Sequence, residues 1–176
     1  MGTPTAADVD LCLRLYEQRR DPALREARDW MSAFLPNSFE DIKKVMTGEA
    51  GKDANRYWRQ AGSYWEMIAG IMMSGAVSLE GRLLFAQTTK EFAFHFSKIE
   101  PFLAEIRAFA RPTAFAQLEA FIDSLPDRAE FMGYFRTVGE RQRAMAAVAK
   151  KPAKTSAKKA APKPAAKHGA GAKKKR

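Results

Sequence analysis

One cysteine, two histidines and no long apolar run exclude more for this chain of 176 residues than its abundant residues assign. Cys12 has no partner within the chain, so a disulfide framework is ruled out, and a free thiol fits a reducing compartment. A structural zinc needs four Cys or His ligands. The chain has Cys12, His95 and His168, and no Glu-x-x-His pair to build a carboxylate centre. Its glycines are scattered, and none forms a dinucleotide fingerprint or a phosphate loop. No nucleophile-elbow pattern brings a Ser or Cys to His95. The expectation is a non-enzymatic protein with no catalytic residues, no metal and no cofactor.

The longest nearly apolar stretch, Met67 to Val77, is 11 residues and contains Ser74. A bilayer-spanning helix needs about 20 apolar residues, so no membrane span is expected. The opening MGTPTAADVD holds two Asp and no basic residue, unlike a secretory signal. Ala6 stands where a myristoylation site needs Ser or Thr. A cytoplasmic location is expected.

Charge is abundant but unevenly placed. Of 30 Lys and Arg, eleven lie in the last 27 residues, where there is no Asp or Glu. The first 149 residues are left with 19 basic and 20 acidic groups, a net of −1 against +10 for the whole chain. A folded domain that is basic overall is therefore excluded. The division implies a domain over 1–149 and a tail over 150–176.

Within 1–149 the apolar periodicity is helical throughout. Thr5 and Asp8 have capping-box spacing ahead of Val9, Leu11, Leu13 and Leu15. Asp21-Pro22 opens a second helix, which ends before Pro36, and Ser38 caps a third. Thr47 to Asp53 reads as a loop. Tyr57, Trp58, Ala61, Trp65, Ile68, Ala69 and Met72 then form one stripe of the most apolar helix. Gly75 is placed to cap its end, and Ser78 to cap the next helix. Pro101 should split the stretch from Leu79 to Ile106 in two. Arg111-Pro112-Thr113 opens another helix, and Pro126-Asp127 opens the last, which fades near Ala149. With no sustained alternation or hairpin turns, the class is all-α, an irregular bundle of about six to eight helices.

Four segments carry a resemblance: RRDPALREARDWM from Arg19 to Met31, YWEMIAGIMMSGAVSLEGRL from Tyr64 to Leu83, KIEPFLAEIR from Lys98 to Arg107 and AFAQLEAFI from Ala114 to Ile122. Their order resembles an uncharacterised family of small helical bacterial proteins, the domain of unknown function 4760, over roughly residues 11–125. That pattern usually has an acidic residue where this chain has Ser78, and either side chain can cap a helix. The resemblance implies an all-α fold and adds no activity.

Individual residues of the body read as structural. Cys12 is expected to be a buried, inert thiol, and His95 a packed or rim histidine near Phe92, Phe94 and Phe96. The aromatics Tyr57, Trp58, Tyr64 and Trp65 are expected in the core rather than stacked on a ligand. Glu66, between Trp65 and Met67, stands out because an ionised carboxylate in an apolar helix needs a partner. The expectation is a rim salt bridge or an internal ion pair with an Arg such as Arg25, Arg28, Arg82 or Arg107; the alternative is a pocket acid.

The tail reads KKPAKTSAKKAAPKPAAKHGAGAKKKR and contains no aromatic or branched aliphatic residue. Such a segment buries too little to offset its ordering entropy, and Pro152, Pro162 and Pro164 interrupt any helix, so it is expected to be disordered. Its composition is similar to the lysine-, alanine- and proline-rich tails of linker histones and some bacterial nucleoid proteins. Lys150, Lys151, Lys154, Lys158, Lys159, Lys163, Lys167, Lys173, Lys174, Lys175 and Arg176 are the candidate nucleic-acid contacts. Point charges of this kind bind phosphate through counterion release. Without aromatics and with one Arg they neither stack on bases nor read base edges. The expectation is nonspecific DNA or RNA binding through the tail, with a nucleoid association. The alternative is a helical protein–protein interaction module, with an unknown protein partner of the body and a solubilising or localising tail.

Overall fold

The computed structural model describes residues 2–149. The segment 150–176, on which the expected disorder and the eleven phosphate contacts fall, lies outside the described residues. The rest is all-α, with no strand among the described residues. Its α-helices run in the order α1 (Ala6–Gln18), α2 (Pro22–Ala33), α3 (Phe39–Thr47), α4 (Lys52–Met73), α5 (Leu79–Thr88), α6 (Glu91–Ile99), α7 (Leu103–Phe109), α8 (Ala116–Asp123) and α9 (Arg128–Ala149). A 3-10 turn over Glu100–Phe102 joins α6 to α7.

Four helix starts follow from local capping chemistry. Thr5 and Asp8 form a reciprocal capping box at α1, and Ser38 and Asp41 form another at α3. The Asp21 side chain accepts from the Leu24 N–H at α2, with Pro22 at the first helical position. Ser78 caps α5 through the Gly81 N–H. Gly48 takes a left-handed conformation, φ +84°, to end α3. Gly51 at φ +107° leads into α4, so that helix starts inside the expected loop.

α4 is the spine. Its stripe of Trp58, Ala61, Trp65, Ile68, Ala69 and Met72 is buried, and α2, α3 and α8 pack along it. Phe92 of α6 centres a second cluster, with ring centroids 5.9 Å from Phe85, 5.3 Å from Phe121 and 6.2 Å from Phe131. α6 lies between α2 and α9 and is buried nearly all round, its polar residues His95, Ser97 and Lys98 included.

Two stretches depart from the sequence reading. Leu79 to Ile106 breaks at Thr88–Lys90 as well as at Pro101. The Thr88 hydroxyl turns back onto the carbonyls of Leu84 and Phe85, 2.8 and 3.3 Å away, and Thr89 leaves the helix at φ −126°, ψ 80°. Arg111-Pro112-Thr113 forms a turn, and α8 starts only at Ala116. The cause is Phe115, held left-handed at φ +56° with its ring edge-on to Trp58 at 5.8 Å and against Gly62. That backbone costs about 1–2 kcal/mol, which tertiary packing of the ring offsets.

Candidate functional site

Polar chemistry collects at a seam where α2, α4 and α6 meet. Glu91, in the first turn of α6, takes hydrogen bonds from Arg19 at 2.6 Å and from Arg28 at 2.5–3.0 Å. All three side chains are at most 18 % exposed. Arg28 also donates to the carbonyl of Arg19 at 3.1 Å, which ties the α1–α2 turn to α6.

One turn along α6, His95 is buried between the same helices. The Trp65 indole N–H donates to its Nδ1 at 3.0 Å. Indole is a donor only, so Nδ1 carries no proton and the proton sits on Nε2, 2.9 Å from the Ser32 hydroxyl. Burial holds the imidazole neutral well below its ordinary range, and Lys98, Arg28 and Arg19 push in the same direction. His95 therefore donates toward Ser32, the reverse of a base that activates a serine. Its expected packed role among aromatics is what the geometry gives, with Trp65 edge-on at 6.1 Å.

Lys98 is the residue that the periodicity did not single out. It is 0 % exposed, and its Nζ donates to the carbonyls of Met31 and Ser32 at 2.9 and 2.6 Å. These oxygens end α2, where the helix dipole favours a cation, and the Phe94 ring lies 4.0 Å from the nitrogen. Burial, with Arg143 nearby, nevertheless pulls the ammonium down to about 7.

These shifts set a stability profile. The unfolded chain protonates His95 near its ordinary value and the folded chain resists, so stability falls as pH drops below about 6.5. The folded chain releases the Lys98 proton near 7 and the unfolded chain only near 10.5, so stability climbs as pH rises above 7. Above about 9 the climb is opposed by Cys12 and Tyr64, whose folded values burial raises, that of Tyr64 to about 12. The urea midpoint should therefore rise between pH 5 and 9, and Lys98→Met should flatten the part above pH 7. A profile unchanged by that substitution would contradict this account.

A second polar knot joins two helix starts. Asp8 is buried and accepts the Thr5 N–H and hydroxyl at 2.9 and 2.7 Å. It also accepts the Ser78 hydroxyl at 2.6 Å and the Ser78 N–H at 3.2 Å. The Ser78 and Thr5 bonds bring its carboxyl down to about 2. A Cβ on Gly81 would collide with this carboxylate. Ser78 can donate to Asp8 while capping α5, which an acidic residue could not do in its ionised form.

Glu66 does not pair with any of the four arginines. Its two oxygens accept the N–H groups of Gln117 and Leu118 at 3.0 and 3.1 Å, capping α8 from α4. Phe115 offers no side-chain cap there, so Glu66 replaces it. Arg28 serves Glu91, and Arg107 bonds Glu119 at 2.6 Å and the Ala114 carbonyl at 3.1 Å. Glu66 does border a cleft of about 260 Å³ with Trp58, Arg59, Arg111 and Phe115, but its carboxylate is already committed. Glu66→Ala should cost about 0.5–2 kcal/mol in urea unfolding, as lost helix caps do. A loss of 3 kcal/mol or more would indicate a stranded buried cation instead.

Trp58, Tyr64 and Trp65 are core residues, with the Tyr64 hydroxyl on the Leu15 carbonyl at 3.0 Å. Tyr57 is half-buried, its hydroxyl donating to Glu26 at 3.1 Å. Cys12 is half-buried against the core, and burial raises its thiol, as an inert cysteine requires. Among the described residues no helix is long and apolar enough to cross a membrane, and no cluster of His, Cys, Asp and Glu suits a metal ion.

A larger cleft of about 510 Å³ opens between α5 and the start of α9, bordered by Leu83, Phe131 and Tyr134. Sequence periodicity gave no sign of it, because it is made where two helices diverge. A family model described as Domain of unknown function (DUF4760) matches residues 4–125. No curated protein and no solved structure matches the chain.

Proposed function

The chain belongs to the DUF4760 family over residues 4–125, and from that premise we propose that its activity resides in what the family region lacks: a cationic tail that binds DNA or RNA nonspecifically through phosphate. One observation carries this reading, the segregation of charge. After Glu140 there is no acidic residue, and the last 27 residues hold eleven cations while the first 149 have a net charge of −1. Cations displayed this way gain affinity by releasing counterions, with no dependence on base sequence. Several arginines of the body serve other ends: Arg19 and Arg28 are turned inward onto Glu91, and the part-exposed Arg128 and Arg136 pair with Glu100. The body is then a rigid, non-enzymatic carrier of the tail, and the nucleoid of a bacterial cytoplasm is the setting that this chemistry suits. Replacing half the tail lysines with Gln should roughly halve the dependence of log affinity on log salt for duplex DNA, and leave the unfolding midpoint unchanged. An unchanged salt dependence would refute the reading.

A second reading makes the body a protein–protein interaction module. It is favoured by Val9, Leu13 and Tyr16, which lie along one face of α1 and are 42 %, 61 % and 58 % exposed.

A further inference from the structure

The cleft between α5 and α9 has a composition that fits part of this same chain. Leu83, Leu125, Phe131 and Phe135 line its apolar floor, and Tyr134 forms a wall with 65 % of its surface exposed. Asp127 and Glu130 stand exposed on its rim, without an ion pair among the described residues, opposite a single Lys90. An aromatic groove with an acidic edge is suited to a proline-containing cationic segment, because proline arrives with φ already fixed and little entropy left to lose. The chain contains such a segment in Pro162-Lys163-Pro164, with Lys159 and Lys167 on either side.

We propose that this cleft takes the chain's own Pro162–Pro164 segment, the prolines against Tyr134 and Phe131 and the flanking lysines toward Asp127 and Glu130. The reach is sufficient. Ala149 lies 19 residues beyond Glu130 on α9, about 28 Å at 1.5 Å per residue. The twelve residues from 150 to 161 span up to about 40 Å when extended. A tether of this length holds the segment near the cleft at roughly millimolar effective concentration, so a weak contact is enough within one chain and too weak between chains. α9 and the tail both lie beyond the family-matched residues, so the aromatic wall, the acidic rim and the occupant belong to the same added portion, while α5 of the family region supplies the facing side. The docking does not require nucleic-acid binding, and phosphate would compete with it for the same lysines.

Zero-length carbodiimide crosslinking of the full chain at micromolar concentration, read by peptide mass spectrometry, tests this. The expected result is that links from Asp127 and Glu130 to lysines 158–167 dominate and survive ten-fold dilution. Tyr134→Ala, on an exposed side chain, should lower them roughly five-fold, as loss of one aromatic contact would. Pro162→Ser with Pro164→Ser should do the same without touching the body. Links spread over exposed carboxylates such as Asp10, Glu26 and Asp53, links that dilute away, or a yield indifferent to these substitutions would each overturn the proposal.

Discussion

Glu91→Ala should destabilise the fold by about 3–5 kcal/mol, the loss typical when one partner of a buried ion pair is removed. Glu91 is 18 % exposed, and Arg19 and Arg28 converge on it at 16 % and 14 %. Without the carboxylate two guanidinium groups remain in a low-dielectric seam that already holds Lys98 and a neutral His95. The substitution therefore strands charge rather than simply deleting a contact. Replacing Arg19 and Arg28 with Met in the same chain should restore much of the loss, since apolar groups of similar volume leave nothing unpaired. Equilibrium urea unfolding separates the outcomes. A single-substitution cost within about 0.5 kcal/mol would mean that the network is solvated and energetically idle.

The same seam shows where sequence reading reached its limit. Caps were legible because they are local: Thr5 with Asp8, Asp21 with Pro22, and Ser38 each sit within one turn of what they satisfy. The α4 stripe was legible because a 3.6-residue period survives in one dimension. Glu66 was recognised as needing a partner, but that partner is the backbone of Gln117 and Leu118, more than fifty residues away. A backbone N–H has no side-chain signature, so a search for arginines could not find it. Lys98 left one unread sign. The segment from Phe92 to Ile99 has apolar residues on every side, which leaves its polar members no solvent face. Such a helix must supply internal partners, and here they are the carbonyls that end α2 and the hydroxyl of Ser32.

The late start of α8 came from the same cause. Pro112 suits a first helical turn, but the fit of the Phe115 ring against Trp58 and Gly62 outweighed that local preference. Phe115 is thus held left-handed at the edge of the cleft that Glu66 borders. The division of charge needed no structure, since it is a property of residue order alone.

Duplex binding by the full chain and by residues 1–149, titrated from about 50 to 200 mM salt, tests the central claim most directly. Eleven tail cations bound the number of phosphates neutralised, and geometry prevents all from engaging at once. About 5–9 contacts give a log–log slope between about −4.5 and −8 on duplex DNA. Removal of 150–176 should abolish binding across the series while helicity and unfolding midpoint stay as they were, and scrambled duplexes should bind the full chain alike. Retained affinity in the 1–149 chain, or a shallow slope with strong preference for one duplex sequence, would place recognition in the helical body and contradict the account.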